Sequence, residues 1–413
     1  ELTISGRKGQ KITLRPGELT DANGHVNQDA SGKPFYYTYI LNGDSTETWR
    51  PQFTYYGFRY LEIETDSTDS REPEIIAVSA LHTSSENAVT GHFHCSNELF
   101  NRIYRLIDKA MSSNSASVLT DCPHREKLGW IEQAHLMQNS LSYRRDMSRL
   151  YEKAMADMAA SQRSDGAIPT IAPEYVRFEG GFEDSPEWGA AFILCPYQAW
   201  LTYGNSDILH RYYPAMKKYM DYLATRADSN IIAYGLGDWY DIGPKEPGYS
   251  QLTSNGVTAT AIYFQNASTM ARIAEITGHD DDAAAFRNLA GDIRQAFNCR
   301  FLNSEEGYYD RNSQTANSMA LVLGFPDKEI REKVARNLAD DIISRGYSLT
   351  AGDIGYRYLL KALEDNGMSD IIYVMNTGFD HPGYGWQLAH GATALTESWQ
   401  AYGFVSNNHM MLG

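Results

Sequence analysis

Ser96-Asn97-Glu98-Leu99-Phe100-Asn101-Arg102-Ile103-Tyr104-Arg105-Leu106-Ile107 is the stretch at which the chain changes period. Leu99, Ile103, Leu106 and Ile107 recur every three or four residues, the spacing of one face of an α-helix. Ser96-Asn97-Glu98 supplies the polar cap and first-turn acid that open such a helix. Upstream the period is two. Lys11-Ile12-Thr13-Leu14-Arg15 alternates, as do residues 35–41 and 56–64. Turn clusters separate these runs: Asn23-Gly24-His25, Gly32-Lys33-Pro34 and Gly43-Asp44-Ser45. Residues 1–92 therefore read as an antiparallel β-sandwich domain. It opens partway through a sheet, so further strands are expected upstream.

Downstream, residues 93–413 read as helical. Candidate helices lie near 96–113, 129–144, 146–162, 187–203, 206–227, 256–277, 280–299, 314–323, 327–344, 353–364, 367–374 and 387–400. Ser185-Pro186-Glu187 is a helix start with proline at the first position. No strand pattern separates these helices and no fixed-period repeat runs through them. That argues against a solenoid and leaves paired helices, in a superhelix or a closed double-layered ring. Closure would gather the loops at one end into a funnel.

Bulk properties exclude several classes. The 413 residues carry a net charge of −16, and the basic residues are scattered among more numerous acids. A nucleic-acid partner needs a basic face, so none is expected. No apolar run reaches the ~18 residues of a membrane span. Cys95, Cys122, Cys195 and Cys299 form no CxxC pair and no zinc spacing, and read as buried free thiols. His92 and His94 stand apart from any acid-rich loop and read as structural. There is no GxSxG, P-loop or HExxH motif. No metal and no organic cofactor is implied.

Four loops concentrate acids and aromatics: Thr120 to Gln133, Phe182 to Trp188, Gly237 to Asp241, and Asp380 to Trp386 leading on to Glu397. A polar patch, Ser406-Asn407-Asn408-His409, follows. Singly, each reads more readily as an ordinary polar loop whose acids complement a helix dipole. Together they place Trp130, Trp188, Trp239 and Trp386, four of the seven tryptophans, close to carboxylates. Glycoside hydrolysis requires that combination. One carboxylic acid protonates a poor leaving group, a second carboxylate attacks or activates water, and flat rings hold the sugar.

Asp121-Cys122-Pro123, Arg125-Glu126 and Gly129-Trp130 resemble the signature loop of the family 78 α-L-rhamnosidases. Gly57-Phe58-Arg59-Tyr60, Cys95-Ser96-Asn97, Pro186-Glu187-Trp188, Gly237-Asp238-Trp239, Gly391-Ala392-Thr393 with Glu397 and Trp399, and Asn408-His409 follow in the family's order. The resemblance covers nearly the whole chain. It implies a mainly α fold, an (α/α)6 toroid preceded by an antiparallel β-sandwich. It also implies an inverting exo-glycosidase that releases terminal α-L-rhamnose from oligosaccharides, polysaccharides or glycosides. Glu126 maps to the general acid and Glu397, expected on a late helix, to the general base. Asp121, Arg125, Trp130, Gln133, Trp188, Asp238, Trp239, Trp386 and His409 map to substrate binding, with Arg125 facing sugar hydroxyls and tryptophans lining an apolar corner for the C6 methyl. By the same resemblance the site of action is the periplasm or the cell exterior, and a final helix and further β domain are expected beyond Gly413.

Two positions depart from the family pattern. Gln133 stands where an aspartate is usual, and His124 where glutamine is commoner. Glu132 is adjacent, but on a helix it is expected to point about 100° away from residue 133. Other readings remain: another (α/α)6 enzyme, such as an exo-glycosidase of different specificity or a polysaccharide lyase, or a non-catalytic glycan-binding relative.

Overall fold

The computed structural model describes residues 1–413 except 32–33, 44, 67–71, 401–402 and 404. Two of the expected turns, Gly32-Lys33-Pro34 and Gly43-Asp44-Ser45, include residues outside this set.

The N-terminal part holds two three-stranded antiparallel sheets. In one, Leu2–Ser5 lies between Glu47–Trp49 and Glu74–Val78; in the other, Lys11–Gly17 lies between Tyr37–Ile40 and Tyr60–Thr65. Leu14 pairs with Tyr37 on one side and Ile63 on the other. The alternation read at 11–15 turns Ile12 and Leu14 inward, where they meet Leu2, Ile4 and Leu41 in a small core closed by Tyr37, Tyr39 and Trp49.

The helical part begins with α1 (Glu98–Ser113), capped by the Asn97 side chain accepting from the Leu99 amide. There follow α2 (Glu132–Leu136), α3 (Gln138–Arg144), α4 (Ser148–Ser161), α5 (Pro186–Gly189), α6 (Ala191–Tyr203), α7 (Asp207–Arg226), α8 (Asn255–Thr277), α9 (Asp280–Phe301), α10 (Gln314–Leu323), α11 (Lys328–Ser344), α12 (Asp353–Asp365), α13 (Ser369–Thr377) and α14 (Tyr384–Ala389). The helices α6, α8 and α10 are buried along most of their length, whereas α7, α9 and α11 bury one face. The buried set packs in succession, α6 on α8, α8 on α10, α10 on α12 and α12 on α2; the half-buried set packs outside it. α13 and α14 bring the chain back to α1. One contiguous apolar core runs from Ile103 to Leu412. No described helix is long and apolar enough to cross a membrane.

The helix expected at 387–400 is much shorter. α14 stops at Ala389, and Gly391 takes a left-handed φ of +83°. Beyond it, Thr396 Oγ1 donates to the Ser398 carbonyl and the Glu397 amide to the Ser406 carbonyl. These local bonds take the place of a helical ladder, so Glu397 sits in an irregular loop. Of the four free cysteines, Cys122 and Cys195 are buried as expected, Cys95 is half-buried and Cys299 is exposed.

Candidate active site

The loop from Asp121 to Leu128 is closed on itself. The Asp121 amide donates to the Leu128 carbonyl at 3.1 Å, and Asp121 Oδ1 accepts from the Leu128 amide at 2.9 Å. Burial pushes the Asp121 carboxyl up to about 7, with the Glu126 charge adding to the effect. Its Oδ2 has no hydrogen-bond partner. At Lys127 the backbone takes a φ of 54°, a costly conformation for a residue with a side chain. This sharp turn follows Glu126, whose side chain is 33% exposed.

Glu126 is held from two sides. Trp130 Nε1 donates to its Oε2 at 2.9 Å, and Arg125 Nε lies 3.3 Å from its Oε1. The same guanidinium reaches Glu397, with Nη2 at 3.1 Å from both carboxylate oxygens. Glu397 also accepts from the Ser406 amide at 2.8 Å and from the Tyr240 hydroxyl at 3.4 Å. Tyr240 too has a left-handed φ, of 63°. One arginine thus stands between the two glutamates. Arg125, expected to face sugar hydroxyls, instead sets its guanidinium against both carboxyls, 3.3 Å from Glu126 and 3.1 Å from Glu397.

Arg125, Glu126 and Glu397 line one cleft together with Asp121, Trp130, Gln133, Trp188, Trp239 and His409. His409 accepts from the Met411 amide at Nδ1, so its ring proton sits on Nε2. Burial, with the Arg125 charge adding, holds its pKa down at about 3, and the ring is neutral. Trp188 Nε1 and both amide atoms of Gln133 are buried without a partner. Phe182 joins Trp130 and Trp239 in an aromatic wall, with ring centroids 6.1 and 5.3 Å away.

Two of the expected site residues lie elsewhere. Asp238 is fully buried behind the cleft, where its carboxylate accepts from the Thr315 hydroxyl and from the amides of Gly352 and Gly355. It ties the Gly237-Asp238-Trp239 loop to the start of α12. The approach is close enough that a Cβ at Gly352 would fall 2.2 Å from the Trp239 carbonyl oxygen. Trp386 turns onto His390, with centroids 3.8 Å apart. Conversely, Glu132 lines the cleft beside Gln133, against the expected divergence. Both open the short α2, and side chains that splay around a helix end can reach the same space. Leu236 and Met411 also line it, giving the apolar corner members that no sequence pattern signals.

Residues 88–413 match the family described as the bacterial alpha-L-rhamnosidase 6 hairpin glycosidase domain, and residues 1–82 match the bacterial alpha-L-rhamnosidase concanavalin-like domain. An alpha-L-rhamnosidase of Formosa agariphila is 29% identical over all of this chain and 45% of its own length. One from Streptomyces avermitilis is 28% identical over 97% of this chain and 38% of its own length. The chain thus spans less than half the length of these relatives. Among solved structures, the α-L-rhamnosidase from Dictyoglumus thermophilum superposes with a TM-score of 0.90 at 29% identity, over all of this chain and 47% of that one. The Streptomyces avermitilis enzyme, solved with L-rhamnose, gives 0.88 at 26% over all of this chain and 40% of that one. With its helical part matched end to end, the chain belongs to the α-L-rhamnosidases of glycoside hydrolase family 78, as a six-hairpin glycosidase domain joined to a concanavalin-like sheet domain.

Proposed function

We propose that the protein hydrolyses terminal α-L-rhamnosides with inversion, Glu126 acting as general acid and Glu397 as general base. The observation that carries this reading is the pair of carboxyls on one cleft with the Arg125 guanidinium between them. An inverting pair must stand roughly 6.5–9.5 Å apart to admit water, and direct carboxyl contact is not the arrangement it needs. The partly exposed Glu126 is suited to meet a leaving group entering from solvent. The deeper Glu397, with two further donors besides Arg125, is suited to take a proton from water.

In the reaction, Glu126 gives its proton to the glycosidic oxygen as that bond breaks. Glu397 takes a proton from the water that attacks the anomeric carbon from the opposite face. The products are β-L-rhamnose and the free alcohol. Asp121, Gln133, Trp188 and His409 offer hydrogen-bonding groups to the sugar, while Trp130, Trp239, Leu236 and Met411 offer apolar surface to its ring and methyl. A relative solved with L-rhamnose supports this sugar as the ligand. By the resemblance to the family, the site of action is the periplasm or the cell exterior.

An aryl α-L-rhamnoside, with the released anomer followed by NMR, tests the reading. Expected are β-rhamnose as the first product and a loss of about 10²–10⁴-fold in kcat for Glu126→Gln and Glu397→Gln. First release of α-rhamnose, or full activity in either variant, overturns it.

A further inference from the structure

The cleft contains a carboxyl that the reaction above does not use. Glu132 opens α2, lines the cleft and is only 3% exposed, yet its Oε2 has no hydrogen-bond partner. Gln133, 0% exposed, lies against the Glu132 carboxyl with neither amide atom in a well-formed hydrogen bond, and Trp188 Nε1 is another orphan on the same lining. Burying a polar group with no partner is costly, and four residues of one cleft lining that carry such groups, Asp121 with its Oδ2 included, are the mark of a surface completed by a polar ligand. Arg125 joins Glu126 to Glu397 and so ties up the proton-transferring groups. Glu132 lies with the sugar-facing groups instead.

We propose that Glu132 is a specificity-determining residue, whose carboxyl hydrogen-bonds one ring hydroxyl of the terminal sugar and selects the configuration at that carbon. The inference rests on the rhamnosidase reading of the cleft and deepens it. Burial pushes the Glu132 carboxyl up to about 8, with Asp121 among the charges that add to this. At neutral pH the group keeps its proton, so it offers a sugar hydroxyl a donor and an acceptor on one planar group. A charged carboxylate could only accept. A hydroxyl of inverted configuration would leave the buried group unpaired, and sites of that design reject the wrong substrate strongly.

The test is a substrate-by-variant grid. The parent aryl α-L-rhamnoside and its 2-, 3- and 4-deoxy analogues are assayed for kcat/KM with the wild type, Glu132→Leu, Glu132→Asp and Glu132→Gln. Thermal unfolding of each variant serves as the check on folding. The expected result is a loss of about tenfold or more on the parent with Leu and with Asp, which withdraws the carboxyl by one methylene. Gln, which keeps a donor and an acceptor, recovers most of the rate. For one deoxy analogue, and only one, the loss disappears. Asp carries the test alone if the Leu variant does not fold. Equal losses on all four substrates mean a merely structural residue and overturn the proposal while leaving the rhamnosidase reading intact. Failure of the wild type to hydrolyse the parent overturns both.

Discussion

His124, in the loop that carries Glu126, places Nε2 3.1 Å from Oε2 of Glu18 in the sheet domain, and the two side chains are 1% and 6% exposed. The Arg125 amide donates to His124 Nδ1, which puts the ring proton on Nε2, toward Glu18. Glu18 Oε2 also accepts from the Asn407 amide at 2.7 Å, two residues before His409. One carboxylate from the sheets therefore braces two segments of the cleft. Neighbouring contacts do the same. The Gly57 amide donates to the Pro123 carbonyl at 2.7 Å, in an approach so tight that a Cβ on Gly57 would lie 2.3 Å from Pro123 Cγ. Lys127 Nζ donates to the Tyr55 carbonyl and sits over the rings of Phe35, Tyr55 and Tyr56. The sheet domain is the outer wall of the loop that holds the proposed acid.

Replacing Glu18 by alanine leaves the Asn407 amide unpaired in a buried place and removes the carboxyl that His124 Nε2 approaches at 3.1 Å. The expected cost is about 3 kcal/mol of stability and a drop in kcat of about tenfold, because the loop loses an anchor two residues from Glu126. KM for an aryl rhamnoside should move little. Steady-state kinetics and thermal unfolding on the same preparation read both effects. Lower stability with unchanged kcat would mean that Glu18 only joins the domains.

The buried acids predict how stability changes with pH. Burial raises the carboxyls of Asp121, Glu187 and Asp238 to about 7 and that of Glu132 to about 8. In the unfolded chain the same groups titrate near 4. Between those values the folded chain binds more protons than the unfolded one, so folding stability falls as pH rises through the window. Burial holds His135 and His409 down at about 3, which acts in the opposite sense but only below the ordinary histidine value near 6.5. From about pH 6.5 to 8 the depressed histidines no longer act, and His25, raised by its bond to Glu62, pulls in the same direction as the acids. The melting temperature is expected to fall across that interval, as differential scanning calorimetry would register; a rise would contradict the burial argument.

Asp238 gives a separate prediction, because its carboxylate serves three donors behind the cleft. Asparagine at this position keeps one acceptor oxygen and turns an NH₂ toward a backbone N–H. Asp238→Asn should cost about 3 kcal/mol and lower the melting temperature, with KM for an aryl rhamnoside nearly unchanged well below the transition. A large rise in KM at full stability would restore Asp238 to the sugar-binding set.

Local pattern and three-dimensional aim were legible to different degrees. Most helices up to α13 follow from amphipathic spacing and caps such as Asn97, which are properties of a few adjacent residues, although the runs read as single helices at 129–144 and 187–203 each break into two. α14 could not be measured that way, since Gly391 and the bonds around Thr396 and Glu397 end it through local geometry. Motif order pairs Glu126 and Glu397 as the proposed acid and base, yet nothing in the sequence says that Arg125 reaches a residue 272 positions away. Gly237-Asp238-Trp239 reads as one unit, but the backbone sends Trp239 into the cleft and Asp238 away from it. Leu236 and Met411 are ordinary core residues by type and become pocket residues only through the fold.

Trp130 offers the most direct check on how Glu126 is set. Its indole does two separable things: the ring belongs to the aromatic wall with Phe178 and Phe182, and Nε1 donates to Glu126 Oε2 at 2.9 Å. Phenylalanine keeps most of the ring and deletes the donor. If the indole aims the proposed acid, Trp130→Phe should lower kcat by about tenfold, the worth of one hydrogen bond to a carboxyl. KM should stay within about threefold, because apolar contact is retained. An aryl rhamnoside with a good leaving group needs little protonation, so the loss should shrink as the leaving group improves. A loss of equal size for good and poor leaving groups would show instead that the ring acts through binding, and the role of the Nε1 donor would have to be abandoned.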